Sequence, residues 1–556
     1  METNILTAMP HDAEQRDADV ELVELRILDG PNRFFVRPAV KLEFVGKEPG
    51  RAAEAAASAA LAVKRLSLAL ELPEPRMTMR HSVDRLRTAF AFPWRRRTIS
   101  QAIGDAAARL ALGRSTDRRE LAGLRATALG PLPHLPKAHI PIVAVTGTNG
   151  KSTTTRLITH IASEAGRKVG MTNSDGIYVR GKLVEAGDWS GFGGAGRVLA
   201  EPGLDLAVLE TARGGILLRG IGYAENDVSV VTNVTADHLG LQGIDTVEEL
   251  AEVKGTIVRI TKRDGWAVLN ADDDLAWAMQ RRTRAHLYAF SLESSSGRVE
   301  RVLDEGGRAA VLEGDTLVLR AAGRRPRPLA PASELPVTVA GLSRFNIANA
   351  LAAAAACDAL GLSAARITSG LRSFAQDSAA NPGRLNLFER DGIFVVIDFA
   401  HNEAGLAGLM DVSRAVAGRL KVRLAIGTAG DRTDEILTGL GVIAGGADDL
   451  VIAEKRHYLR GRDLEDMNEL MRAGARRGGY AGEIAAHETE AEALAALLGR
   501  AQRGDVCAVM THVERNELFA WLDSEGFRPV SPDRLREVLG SPGSTTGPGR
   551  PRPRRR

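Results

Sequence analysis

The chain has 556 residues, of which 44% are hydrophobic and 26% charged, with a formal net charge of +3. That composition excludes a fibrous or wholly disordered protein and provides for three or four globular domains. Five of the seven residues from Arg550 to Arg556 are arginine, and the rest of the chain carries −2, so the body has no basic nucleic-acid footprint. No apolar run reaches the roughly 18 residues of a membrane span, and two cysteines, Cys357 and Cys507, each in apolar surroundings, are too few for a disulfide scaffold.

Residues 1–20 are polar and acidic, unlike a signal peptide, and read as a flexible leader of a cytoplasmic chain. From Val20 the text alternates apolar and polar residues around a Gly-Pro-Asn turn, which predicts two short strands. Helices are expected over 51–71 and over about 100–113, the second following the basic cluster Pro93-Trp94-Arg95-Arg96-Arg97. Residues 114–140 end in PLPHLPKAHIP and read as a linker, so a first domain of α+β type is bounded at 21–135.

Beyond it, Ile142–Val145, Leu206–Glu210, Val228–Asn233 and Ala267–Asn270 are short apolar runs, each followed by a polar loop and a helical stretch. Repeated strand–helix units predict a mainly parallel sheet covered on both faces. Residues 297–340 are strand-rich (AAVLEGD, TLVLRAA, LPVTVAG) and read as an antiparallel appendage, and 344–374 as helical. A further α/β unit opens near Gly383, with strands at IFVVID, RLAIGTAG, DLVIAE and DVCAVMT. The fold class expected is therefore multi-domain α/β, with a central domain at 136–381, a C-terminal Rossmann-like domain at 382–540 and a disordered basic tail at 541–556.

The strongest chemical signal is IVAVTGTNGKSTTTRL at 142–157: a strand, a glycine loop, Gly150-Lys151-Ser152, then a helix. Gly147 and Gly150 let backbone N–H groups of Thr148, Asn149 and their neighbours approach phosphate oxygens, and the helix N-terminus, through Thr153, adds partial positive charge. Lys151 is placed to reach the terminal phosphates of a nucleotide and Ser152 to ligate Mg²⁺. Val145 stands where the usual phosphate loop has its first glycine.

That departure, TGTNGKST, resembles the nucleotide loop of the Mur ligase superfamily, and further segments agree with the family in order: AVLETARGG with Glu210, NVTADHLG at 233–240, Lys254 in ELAEVKGTIV, VLNADDD at 268–274, RFNIANALAA at 344–353, PGR at 382–384, DFAHNEAGL at 398–406 and TAGDRTDE at 428–435. SDGIYVRGKLVEAGDWSG, VLETARGGILLRGIGY and VTADHLGLQGIDTVEELAEVK are similar to the Mur-ligase half of the cyanophycin synthetases, as is LRILDGPNRFFVRPAVKLEF to their N-terminal domain. In those enzymes an ATP-grasp domain lies between these regions, where this chain has only residues 114–140.

The resemblance implies an ATP-dependent ligase forming amide bonds through an acyl phosphate and releasing ADP. Its cofactors would be ATP and Mg²⁺, its substrates an amino acid, a basic one among the candidates, and a small-molecule or acidic-peptide acceptor. A separate ATP-grasp protein is an expected partner; nucleic acid and membrane are not. A poly-γ-glutamate or folylpolyglutamate type of ligase and a non-catalytic ATP-binding scaffold stand as alternatives. Carried over residue by residue, the resemblance makes Ser152, Glu210 and His238 metal ligands, and places Asn270, Asn349, Arg384 and Asp398 near the nucleotide. Lys151, Lys254, His238 and Arg213 form the catalytic set. Lys254 is either carbamylated or an exposed helix lysine, and Arg213 either binds the acceptor carboxylate or pairs with an acidic neighbour. Asp237 either holds His238 or caps a helix.

Overall fold

The computed structural model describes residues 19–512 and 514–540. The leader expected at 1–20 falls outside the described residues up to position 18, and the tail expected at 541–556 falls outside them entirely.

The N-terminal unit is a four-stranded antiparallel sheet with two helices, Arg51–Ala69 and Arg97–Ala111, on one face. The predicted hairpin is Val20–Leu28 against Ala39–Gly46. Strand alternation puts Val40, Leu42 and Phe44 into the core beneath the Ala-rich first helix. Lys41 and Glu43 point the other way and are buried too, because that face is turned toward the central unit. Two strands were not anticipated, Thr78–His81 and Arg87–Pro93, and the expected linker contains a helix, Asp117–Arg125.

The central unit is built on an eleven-stranded sheet. Seven strands run parallel, in the order Val169–Asn173, Leu206–Glu210, Ile142–Thr146, Asn226–Val231, Thr261–Asn270, His286–Ser291 and Arg308–Glu313. The appendage predicted at 297–340 is only partly separate. Arg308–Glu313 extends the parallel sheet beside His286–Ser291, and only Thr316–Ala321 and Arg327–Pro331 add antiparallel pairs. LPVTVAG is not a strand: Pro336 opens a 3₁₀ turn, and the Thr338 hydroxyl bonds back to the Ala332 and Leu335 carbonyls. Helix Arg344–Ala359 is apolar nearly all round and buried, which its run of alanines permits by letting it lie close against Lys151–Glu164.

The C-terminal unit has a seven-stranded sheet, parallel through Ala486–His487, Asp449–Ala453, Val422–Ile426, Val506–Met510 and Ile393–Asp398, and closed by antiparallel Asn386–Arg390 and Arg528–Pro529. In the central sheet the chain turns back at Ile142–Thr146, with Leu206–Glu210 on one side and Asn226–Val231 on the other. Open parallel sheets bind ligands at such reversals, beyond the carboxyl ends of their strands. The carboxyl edge of the C-terminal sheet faces this same region, as the contacts below establish.

Candidate active site

Thr146 ends its strand, and residues 147–150 turn into helix Lys151–Glu164. Gly147 has φ 153°, and a Cβ there would stand 1.8 Å from the Thr232 hydroxyl; Gly150 has φ 84°, and its Cβ would stand 2.2 Å from Asn349 Oδ1. Both positions exclude any larger residue, which keeps the loop's backbone N–H groups open to a ligand. The loop is tied to the end of the next strand: Thr148 N donates to the Asn233 carbonyl, Asn149 N to Asn233 Oδ1, and the Thr232 hydroxyl to the Asn149 carbonyl. Lys151 Nζ folds back over the loop onto the Thr148 carbonyl at 2.8 Å. Thr153 faces Asn381 at 3.5 Å.

Ser152 Oγ lies 3.2 Å from Ser174 Oγ and receives Arg384 Nη2 at 3.4 Å, with Glu210 close by. Glu210 is buried and its Oε2 has no hydrogen-bond partner. Burial pushes this carboxyl up, against the opposing pull of Lys151, the Ser152 hydroxyl and Arg384. A buried carboxylate oxygen without a partner beside a serine hydroxyl is the chemistry a small divalent cation satisfies.

His238, the expected third ligand, is engaged from the C-terminal unit. It lies at φ 53°, and Arg432 Nη1, from the C-terminal unit, donates to its Nδ1 at 2.7 Å. Its Nε2 is 3.8 Å from Asp237 Oδ1. Burial holds the imidazole down to about 4, with Asp237 pulling up and Arg432 pushing down. Asp237 itself forms an ion pair with Arg432 at 3.2 Å and lies 3.5 Å from His401 Nε2. Its burial raises the carboxyl, but His401, His238 and Arg432 together hold it well below the usual range. Among the described residues, no three His, Cys, Asp or Glu side chains converge as a metal cage. The residues that fit Mg²⁺ here are Ser152 and Glu210, the remaining positions being left to phosphate oxygens and water.

Lys254 is not an exposed helix lysine. It is buried, and its Nζ donates to the Gly147 carbonyl at 2.6 Å. Burial, then the charges of Lys151 and Arg213, hold its ammonium well below the usual range. The helix carrying it, Val247–Lys254, starts at a capping box between Thr246 and Glu249. The N-terminal unit grips its outer face through Arg33 and Arg80, both paired with Glu252.

Arg213 forms no ion pair with an acidic neighbour among the described residues. Its guanidinium donates to the His238 carbonyl and, at 2.7 Å, to the Leu241 carbonyl, so it pins the loop after His238. Asn270 spends its amide on the Thr232 carbonyl at 2.7 Å and on Asp272 N at 2.9 Å. Asn349 packs against Gly150 and bonds Thr154 and Asn346. Arg384 is stacked on Phe399 at 4.5 Å, and Asp398 accepts Leu385 N at 2.8 Å, shaping the turn that holds Arg384.

Asp175 and Arg515, which the sequence did not single out, complete the junction. Asp175 accepts Arg156 and, from the C-terminal unit, Arg515, each at 2.9 Å. Asn149 and Asn402 exchange two amide hydrogen bonds at 3.1 Å. The NSDG turn at 173–176 was a local signal for Asp175; Arg515, 340 residues away in the chain, had none.

The Mur ligase middle domain family matches residues 145–357, and the Mur ligase glutamate ligase domain family matches residues 383–512. The chain carries the middle and C-terminal domains of the Mur ligases. Among curated relatives, the cyanophycin synthetase of Geminocystis herdmanii is 43% identical over 338 residues, covering 61% of this chain and 38% of that protein. That of Nostoc sp. is 40% identical over 342 residues, covering 62% and 38%. The chain thus spans well under half the length of these relatives. A UDP-N-acetylmuramoyl-L-alanyl-D-glutamate--2,6-diaminopimelate ligase of Geobacillus kaustophilus is 27% identical, covering 67% of this chain and 74% of that Mur ligase. A solved pseudomurein peptide ligase from Methanothermus fervidus superposes with a TM-score of 0.49 at 19% identity, covering 70% and 79%. Among the described residues, no helix of this Mur ligase chain is long and apolar enough to cross a membrane.

Proposed function

We propose that the chain is an ATP-dependent, ADP-forming amide ligase that joins an amino acid, basic by its kinship with cyanophycin synthetases, to a carboxylate of an acidic peptide or amino-acid-derived acceptor. In this reading residues 136–381 bind ATP, 382–540 close over it, and 21–135 brace the helix of Lys254. A separate ATP-grasp protein would supply the acceptor chain. The observation that carries the reading is that both domains meet on the phosphate loop: Arg384 on Ser152 and Asn402 on Asn149.

The chemistry follows from that meeting. An acceptor carboxylate oxygen attacks the γ-phosphorus of ATP, the bond to the bridging oxygen breaks and ADP leaves; the donor amine then attacks the acyl carbon, phosphate leaves and the nitrogen gives up a proton. Two anions must first be brought together, so catalysis is positioning plus charge neutralisation. Lys151 needs only to leave the Thr148 carbonyl to reach phosphate oxygens, and Arg384 already lies over the start of the same helix. Ser152 and Glu210 would hold Mg²⁺, which supplies positive charge between the phosphates. Burial of the surrounding groups keeps water from the acyl phosphate.

The test is ADP release and product mass with mixed amino acids, aspartate-rich peptides and ATP, using Lys151→Ala as the control. Loss of such a charge costs about 3 kcal/mol of transition-state stabilisation, about 100-fold in rate. Nucleotide binding without acceptor-dependent ADP release would replace the ligase by a scaffold. Glutamate chains as the product would move it to the folylpolyglutamate type.

A further inference from the structure

The basic cluster after Pro93 takes no part in the site above. It borders a cavity of about 480 Å³ in the N-terminal unit, between the turn at 29–38, the segment following helix Arg51–Ala69 and the start of helix Arg97–Ala111. Its wall carries five guanidinium groups, those of Arg37, Arg76, Arg95, Arg96 and Arg259. Those of Arg37, Arg76 and Arg95 make no hydrogen bond or ion pair among the described residues, and Arg96 reaches only the Gly130 carbonyl at 3.4 Å. The one acid on the wall, Glu74, is already paired with Lys64 at 2.7 Å.

At the base, Arg259 comes from the central unit. It donates to the Asn32 and Arg33 carbonyls, while its buried Nε has no partner. Burial and the neighbouring Arg282 hold this guanidinium below its ordinary pKa, against the pull of Glu252. Phe34, Phe35 and Phe92 supply apolar wall beside the arginines.

Like charges on one wall repel, and the exposed Arg37, Arg76, Arg95 and Arg96 have no carboxylate partner among the described residues. What offsets them must carry several negative charges on few atoms, because the volume is that of a small-molecule pocket. Four carboxylates on an extended peptide spread over roughly 10 Å or more of chain, whereas a di- or triphosphate concentrates a similar charge within one corner of the cavity. Guanidinium forks bind phosphate oxygens in pairs, and the phenylalanines suit a flat apolar body.

We infer that this cavity is a second anion site, built for a phosphorylated small molecule of the nucleoside di- or triphosphate class and separate from the loop at 147–152. Arg259 lies five residues after Lys254, so the variants that test the site leave it intact. The experiment is calorimetric titration of the full chain with inorganic tripolyphosphate and with ADP. One variant carries Arg37→Ser, Arg76→Ser and Arg95→Ser together; a second, the milder Arg95→Glu, guards against misfolding of the first.

Binding at the phosphate loop is identified by its weakening in Lys151→Ala. The wild type should show an additional event that the triple variant weakens by about 100-fold or more and Arg95→Glu by about tenfold or more. The loop event and the melting temperature should stay unchanged. Variants that keep every binding event of the wild type would overturn the site. Tighter binding of a tetra-aspartate peptide than of tripolyphosphate would overturn its assignment to phosphates.

Discussion

Lys254 is buried behind the phosphate loop with a single acceptor, the Gly147 carbonyl, and with Lys151 and Arg213 near enough to repel its charge. Those surroundings favour the neutral amine, which is the form that adds CO₂ to give a carbamate. Carbamylation would exchange a disfavoured cation for an anion beside two cations. ADP release should therefore fall in buffer stripped of bicarbonate and return on adding it, and Lys254→Ala should be partly rescued by acetate. Equal rates with and without bicarbonate would leave Lys254 as a neutral bridge to Gly147.

Asp398 allows a cleaner test of burial. Its carboxyl is pushed up to about 6 by burial, against the pull of Arg384 and of the Leu385 and Ala400 amides. The folded state thus prefers the protonated acid, so the stabilising contribution is complete below the unfolded value near 3.8 and is lost as pH rises through about 6. Between about pH 5 and about pH 7.5 the wild type should lose about 1.5 kcal/mol relative to Asp398→Asn. Denaturant midpoints of the two proteins across that range measure it; parallel curves would mean that Asp398 is ionised throughout.

At the scale of elements, the phosphate loop was legible because all of its parts, strand, glycines, Lys-Ser and helix, lie within sixteen residues and need only local geometry. Parallel strands were legible for the same reason, as short apolar runs between helical stretches. Thr78–His81 and Arg87–Pro93 escaped because their few residues carry arginines and a histidine, and only pairing, of Arg87–Pro93 with Ala39–Gly46 and of Thr78–His81 with Arg87–Pro93, makes them strands. The 3₁₀ turn at Pro336 was hidden by β-branched residues whose hydroxyl caps a turn instead of joining a ladder. Arg213 and Asn270 were legible as polar residues of the region, but their partners are backbone carbonyls that only the folded loops bring near.

The loop's dependence on glycine yields a prediction at this scale. In Gly147→Ala the new methyl would collide with the Thr232 hydroxyl, at a φ that L-residues rarely adopt. The loop must then shift, and a displacement of about 1 Å in a positioned site costs on the order of 100-fold in rate. ADP release should fall by that order while the thermal transition moves by only a few degrees. Adding Thr232→Ala removes the obstruction but not the strained φ, so the double variant should recover part of the activity. An unaffected Gly147→Ala enzyme would show that the loop tolerates a side chain where its backbone approaches Thr232.

Over the whole molecule, the central and C-terminal units touch through polar groups, Arg384 on Ser152, Asn402 on Asn149, Arg432 on His238 and Asp237, and Arg515 on Asp175, and through apolar ones, Val339 in the C-terminal core and Phe345 against Gly408. The polar part of such a junction separates more readily than the apolar part. The chain passes between the units at Asn381-Pro382-Gly383, where Gly383 has φ 68° and Arg515 also reaches the Pro382 carbonyl. These contacts describe a closed arrangement, and one of them occupies a group of the candidate site: Arg432 covers His238. In the proposed reaction the C-terminal unit would swing away about Gly383 to admit substrates and return to shield an acyl phosphate. In solution the ligand-free enzyme should sample open forms, and ATP with acceptor should reduce the radius of gyration more than either alone. Arg432→Ala should weaken that compaction, because it removes the one side chain that joins the C-terminal unit to both His238 and Asp237. Small-angle scattering on samples with turnover confirmed in the same preparation measures this. A radius that stays constant across all states would mean that the site works in its closed form, with substrates entering past Arg432 by side-chain motion alone.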